Sequence, residues 1–275
     1  MDSLLFTIVC LLIGAVAGLL GGLLGIGGGV IVAPALILLF DHTGMLGDHA
    51  GTGNGTTLVA IGTSLASIIF TSAAAALTQI RARMVDWEIV RRITPMVMLA
   101  SYGSGFIASM LPLATLRILI GAFLGFVSLV MLTNWRPSPH RILPGRIASA
   151  GIAGLAGLVS GIAGIGGGNV VVPTLVYFNV PVHRATATAS VLGFPIAIAG
   201  SLGYVTRGIG VTSFGEGLLG YVYMPGLIAI VCTTVIFAPI GVRLAHGLQP
   251  LPLRRAFGAL LILVSIRMLW SAVTP

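Results

Sequence analysis

The sequence predicts an all-α polytopic membrane protein made of two homologous repeats. Of its 275 residues, 57% are hydrophobic and 7% charged, and the mean hydropathy is +1.10. A soluble core does not need that composition, whereas a set of lipid-facing helices does. A glycine-crowded break inside an apolar segment also occurs twice, in register, which points to duplication. Segments of about 20 apolar residues, the length needed to cross a bilayer, recur on both sides of it.

Charge points the same way. All 14 basic residues are Arg, and the net charge of +8 is spread over short loops. Such a pattern orients membrane segments rather than recruiting nucleic acid. Cys10 and Cys232 both lie in apolar segments and read as core residues, so no disulfide framework follows. Met1-Asp2-Ser3 lacks the basic start of a secretory signal, so Leu4 to Leu20 is expected to remain as a membrane helix.

The first break is Gly21 to Pro34, with Gly25-Ile26-Gly27-Gly28-Gly29 at its centre. The second runs from Gly157 to Pro173, with Gly164-Ile165-Gly166-Gly167-Gly168, at a constant offset of 139 residues. Backbone groups freed by a break cannot face lipid, so such a stretch lines a polar cavity or is buried in protein. A helix restarting near Pro34 or Pro173, with proline in its first turn, would aim free N–H groups and its positive dipole end at that cavity, an arrangement that attracts anions. Single glycines such as Gly21 or Gly157 are accounted for by close helix packing. Three in a row are not.

In chain order, Leu4 to about Leu24 spans the bilayer, and Val30 to Phe40 is a half-span. Asp41 to Gly55 is a polar, glycine-rich loop carrying two Asp-His pairs, Asp41-His42 and Asp48-His49. They form a weak metal-ligand candidate, because glycine leaves such ligands unorganised. Thr56 to Ile80 is the next crossing and carries Thr63 and Ser64. Arg81, Arg83, Arg91 and Arg92 bracket Asp86-Trp87-Glu88 in a loop expected on the cytoplasmic side. Ile93 to Leu111 and Leu116 to Thr133 form a hairpin, and the Pro- and Arg-rich stretch 134–146 is a cytoplasmic linker between repeats 1–133 and 147–275.

The second half retraces the first. Ile147 to Ala163 leads to the second break, Val170 to Val180 is a half-span, and Ala185 to Thr206 carries Thr186, Thr188 and Ser190 where the first half has Thr63 and Ser64. Leu218 to about Ala245 follows. The last helix, Leu253 to Trp270, aligns with Leu116 to Leu132: Gly121 matches Gly258 and Ser128 matches Ser265 at an offset of 137. The count is eight full spans plus two half-helices.

Parallel repeats, with each broken segment counted as one crossing, put 9 arginines inside against 5. If the chain turns back at each break, each half has five crossings and the second half is inverted, and the split becomes 11 against 3. The positive-inside rule therefore favours inversion, with both termini outside. Inverted repeats with broken helices meeting at the midplane are a common transporter design.

With these motifs assembled, the chain resembles the sulfite exporter TauE/SafE family. The resemblance rests on the twin Gly-Ile-Gly-Gly-Gly…Pro segments, Gly62-Thr63-Ser64, Val85-Asp86-Trp87 and the ending Gly241-Val242-Arg243-Leu244…Leu253-Arg254-Arg255. It implies a carrier in the bacterial inner membrane for small anions, typically sulfite, sulfonates or related organosulfur anions, driven by a proton gradient. The long loop Asp41 to Gly55, and Gln79-Ile80-Arg81 where a histidine is common, depart from the family pattern.

The expected anion site lies between the breaks, lined by the amides of Gly27, Gly28, Gly29, Gly166, Gly167 and Gly168. Asn169, Thr63, Ser64, Thr188 and Ser190 would add side-chain bonds. Asn169 is the asymmetric member, since its counterpart is Val30. Arg83, Asp86 and Arg243 are gating or coupling candidates, although topology and snorkelling also account for the arginines. The partners expected are a small anion, a coupling proton and the bilayer, with a homodimer as an open assembly state and no cofactor or nucleic acid. Competing readings are a divalent-metal permease using the Asp/His loop and a membrane scaffold built on glycine-rich interfaces. An intramembrane enzyme fares worst, for want of a carboxylate pair or a nucleophile–base pair in the spans.

Overall fold

The computed structural model describes residues 3–24, 28–44, 46, 53–133, 145–211, 217–245 and 250–273. In order these form α1 (Ser3–Leu24), α2 (Gly29–Thr43), α3 (Gly55–Arg81), α4 (Trp87–Met110), α5 (Leu113–Leu132), α6 (Arg146–Ala163), α7 (Gly168–Tyr177) and α8 (Val182–Gly208). A two-residue hairpin, β1 (Leu218–Leu219) and β2 (Val222–Tyr223), precedes α9 (Met224–Ala245) and α10 (Pro250–Val273). Among the described residues, 7 helices are long and apolar enough to cross a membrane, and α2, α6 and α7 are shorter apolar helices.

Each glycine break is a reversal. Phe6 near the start of α1 stacks on Phe40 near the end of α2, with ring centroids 5.9 Å apart. The chain therefore descends α1, breaks, and climbs back about 22 Å along the 15 residues of α2. The restarts differ from expectation. Both helices begin at the glycines themselves, Gly29 and Gly168, so Pro34 and Pro173 sit at the sixth helical position rather than in the first turn. There a proline has no N–H to offer the carbonyl four residues back, which in these helices belongs to Val30 and Asn169.

Helix contacts come in matched sets. α1 packs on α9 as α6 packs on α4, α2 on α3 as α7 on α8, and α3 on α9 as α4 on α8, while α3 meets α8 and α5 meets α10. Small residues bring backbones together at these crossings. Gly18 on α1 faces the backbone of Thr234, and Gly105 on α4 faces that of Gly203 on α8. On the α5–α10 pair, Ser128 Oγ donates to Gly258 O at 2.6 Å and Ser265 Oγ to Gly121 O at 2.7 Å, so the two helices run antiparallel. α4 and α8 run parallel: Asp86 N donates to Thr188 Oγ1 at 3.1 Å at their starts, and Arg207 Nε to Ser109 Oγ at 2.9 Å at their ends.

The cysteines split. Cys10 is buried as expected, whereas Cys232 is exposed on the outside of α9, because the apolar surface of a membrane helix faces lipid as readily as protein. The linker residues 134–144 lie outside the described residues.

Candidate functional site

The two breaks meet beside the middle of α3. Gly164 closes α6 with a left-handed φ of 67°, a conformation that glycine takes without a Cβ penalty. A Cβ built on Gly29 would lie 3.1 Å from the Gly164 carbonyl oxygen, so the second break runs against the start of α2. Ser64 Oγ donates to that same carbonyl at 2.8 Å in a fully buried bond, tying α3 to the second break. Helix N-termini leave their first N–H groups outside the ladder. In α2 and α7 the first bonds come from Ile31 and Val170, to Gly28 O and Gly167 O, and no side chain caps either end.

Two isoleucines occupy the space that the sequence assigns to a solute. Ile68, near the midpoint of α3, lies against both Gly29 and Gly166, and a Cβ on Gly166 would sit 2.8 Å from its Cγ2. Ile196, near the midpoint of α8, lies against Gly167. The gaps thus face one another across an apolar seal. Helical spacing places Ile68 one turn beyond Ser64 on the same face of α3, so its position, though not its role, was available from sequence.

Asn169 is 3% exposed, and neither its Oδ1 nor its Nδ2 has a hydrogen-bond partner. It stands in the first turn of α7, beside the second break. A buried amide left unpaired costs roughly 1–3 kcal/mol, so its presence calls for an explanation beyond packing.

The other expected residues are spread out. Thr63 Oγ1 accepts from Tyr223 N at 2.9 Å, which commits it to the β-hairpin. Thr188 takes the Asp86 amide at the arginine-rich end, and Ser190 bonds back to Thr186 O of its own helix, so neither joins Ser64. Asp86 is the N-cap of α4, accepting from Glu88 N at 3.2 Å and Ile89 N at 3.3 Å. Arg83 is exposed with φ 55° in the turn after α3. Asp41 is engaged by Arg117, whose Nη2 reaches both carboxylate oxygens at 2.8 and 2.7 Å, while His42 is exposed. Gly27, Asp48 and His49 lie outside the described residues. Among the described residues no cluster of metal-ligating side chains forms.

A cavity of about 350 Å³ opens beside the first break, between α1, α3 and α9. Gly18, Gly21 and Gly28 wall its closed side, and Arg81 and Arg243 stand at the ends of α3 and α9. The sequence reading treats Arg81 only as a topological marker. Its place at the end of the stripe Thr71, Ala74, Ala75, Thr78 was the available signal.

At the opposite end the helices are closed by the hairpin. Tyr221 and Tyr204 are fully buried, Tyr221 N donates to Tyr204 O at 3.3 Å, and Tyr204 Oη donates to Gly161 O at 3.2 Å. Tyr223 packs edge-on against Phe6 and Phe40.

Comparison with known proteins agrees with this architecture. Residues 10–268 match the profile of the family described as Sulfite exporter TauE/SafE. The chain belongs to that family. It is 28% identical over 205 residues to a protein of Haemophilus influenzae named "Probable membrane transporter protein", covering 74% of this chain and 77% of that one. No solved structure matches the chain. As a TauE/SafE member with seven candidate spans it is a multi-pass membrane protein of a transporter family.

Proposed function

We propose that the chain is a secondary carrier that moves a small anion, such as sulfite or an organosulfonate, across the bacterial inner membrane by alternating access around the two breaks, coupled to protons. The observation that carries this reading is Asn169: an amide with both polar atoms unpaired, nearly sealed from solvent, at the start of a helix whose free N–H groups share its position. Such an arrangement holds an anion with partial charges. Ile68 would withdraw to admit it, and the Arg81–Arg243 cavity would be its route from one side.

The halves 1–133 and 147–275 act in this mechanism as repeats inverted about an axis in the membrane plane. The antiparallel α5–α10 pair, the parallel α4–α8 pair and the matched contacts support this. Arg117 and Arg207 fall at the end opposite the arginine-rich loops, as the inverted count requires. α2 and α7 are then re-entrant, and 134–146 is the cytoplasmic linker.

The deciding experiment is uptake of radiolabelled sulfite and of a short alkylsulfonate into proteoliposomes by the wild type and by Asn169→Leu. Leucine is close in volume and removes an unpaired amide, so the variant should fold at least as stably. Loss of uptake with unchanged or raised thermal stability is the expected result. Undiminished uptake overturns the proposed site.

A further inference from the structure

The cavity between α1, α3 and α9 has a chemistry of its own, separate from the midplane. Its two ionisable lining residues, Arg81 and Arg243, are both cationic, and no carboxylate lines it. Two guanidiniums at one concave, low-dielectric surface focus positive potential into it, which two separate surface arginines do not do. The remaining wall is small and apolar: Gly18, Gly21, Ala74 and Ala75 keep side chains out of the space. The two hydroxyls on the wall are already spent as donors, Thr71 to Ile68 O at 3.2 Å and Thr78 to Ala74 O at 3.0 Å. They present only lone pairs inward, so they repel an oxyanion and leave it to the arginines.

Size narrows the occupant. The cavity holds about 350 Å³, roughly a dozen waters at ~30 Å³ each, far more than a bare oxyanion displaces. An oxyanion head with a short apolar body satisfies both parts, its head at Arg81 and Arg243 and its chain against the glycine and alanine wall. We infer that this cavity is a binding site for small organic oxyanions, carboxylates or sulfonates with a short alkyl chain, held by Arg81 and Arg243. It deepens the carrier reading by adding a station outside the midplane, yet occupancy here requires neither transport nor Asn169.

The same oxyanion chemistry is offered by lipid phosphates, so the test separates the sources. Protein purified in uncharged detergent is titrated with propane-1-sulfonate by calorimetry and by thermal shift, where binding to the folded state raises the midpoint. Methanesulfonamide serves as the neutral control. The expected result is saturable binding of propane-1-sulfonate alone, weakened at least tenfold in Arg81→Gln/Arg243→Gln and restored by Arg81→Lys/Arg243→Lys. Asn169→Leu should keep this binding while losing uptake, so failure of this site and failure of the midplane site read out separately. Equal affinity in the double Gln variant, with its unliganded midpoint unchanged, overturns the inference. So does equal binding of the sulfonamide. A second titration in nanodiscs compares purely zwitterionic lipid with added phosphatidylglycerol, and abolition of propane-1-sulfonate binding by the anionic lipid assigns the arginines to the headgroup instead.

Discussion

The Ser128 hydroxyl on α5 donates to the Gly258 carbonyl on α10 at 2.6 Å. The exchanged bond, Ser265 to Gly121, is 2.7 Å. These four residues are the ones that align between the two halves, so a duplicated sequence pattern becomes a reciprocal pair of bonds. Hydrogen bonds between membrane helices average about 0.6 kcal/mol. Ser128→Ala and Ser265→Ala should therefore each lower thermal stability by a similar small amount, and by unequal amounts if the reciprocity is only geometric.

The inverted arrangement predicts opposite faces for two arginines. Arg83→Cys and Arg207→Cys, in a background with Cys10 and Cys232 replaced, should label with a membrane-impermeant maleimide from opposite sides of oriented vesicles. Labelling from one side would return the halves to the parallel arrangement.

Ser64 and Gly164 hold the second break to α3. Ser64→Ala should destabilise by about 1 kcal/mol through loss of a buried bond. Gly164→Ala should cost at least ~1 kcal/mol, because φ of 67° disfavours a Cβ that would also lie 3.1 Å from Ala33 and Ile61. Equilibrium unfolding in detergent reads both, and a neutral Gly164→Ala would show that the break relaxes freely.

Ile68 seals both gaps at once. Truncation to Ala should cost about 2 kcal/mol or more in stability and raise anion leak through proteoliposomes without a driving gradient. Ile68→Phe should slow uptake with little leak. Leak unchanged in both variants would place the permeation route elsewhere.

Arg117 is 13% exposed and Asp41 31%, between a surface pair and a buried one. Asp41→Asn should therefore lower stability by an amount between the ~0.5 kcal/mol of an exposed pair and the ~3 kcal/mol of a buried one. The double variant Asp41→Asn/Arg117→Gln should recover part of the loss. Additive losses in this cycle would mean the pair is not coupled.

Much of the fold was legible because the bilayer constrains it. Apolar length marks spans, glycine runs mark breaks, and arginine marks one face, so α1, α3 and the reversal at each break follow from composition and spacing. The tertiary pairings were not legible. Asp41 and Arg117 are 76 residues apart, and nothing local announces their contact. Thr63, Ser64 and Thr188 looked equivalent by position, yet their partners are a hairpin amide, a break carbonyl and a cap residue, which depend on packing across halves. Asn169 stood out because an amide at that depth has no local reason to exist, and its lack of partners is the part only the coordinates supply.

The hairpin from Leu218 to Tyr223 follows α8, while the corresponding link after α3 is the short turn from Ala82 to Asp86. Two identical halves would give an empty carrier two facing states of equal free energy, populated equally. A wedge present at one end only lifts that degeneracy, since the Phe6, Phe40 and Tyr223 rings must part in one facing state and not in the other. Unloaded protein therefore has a preferred resting direction, and the rates of filling from the two sides of the membrane differ even when the solute concentrations are the same.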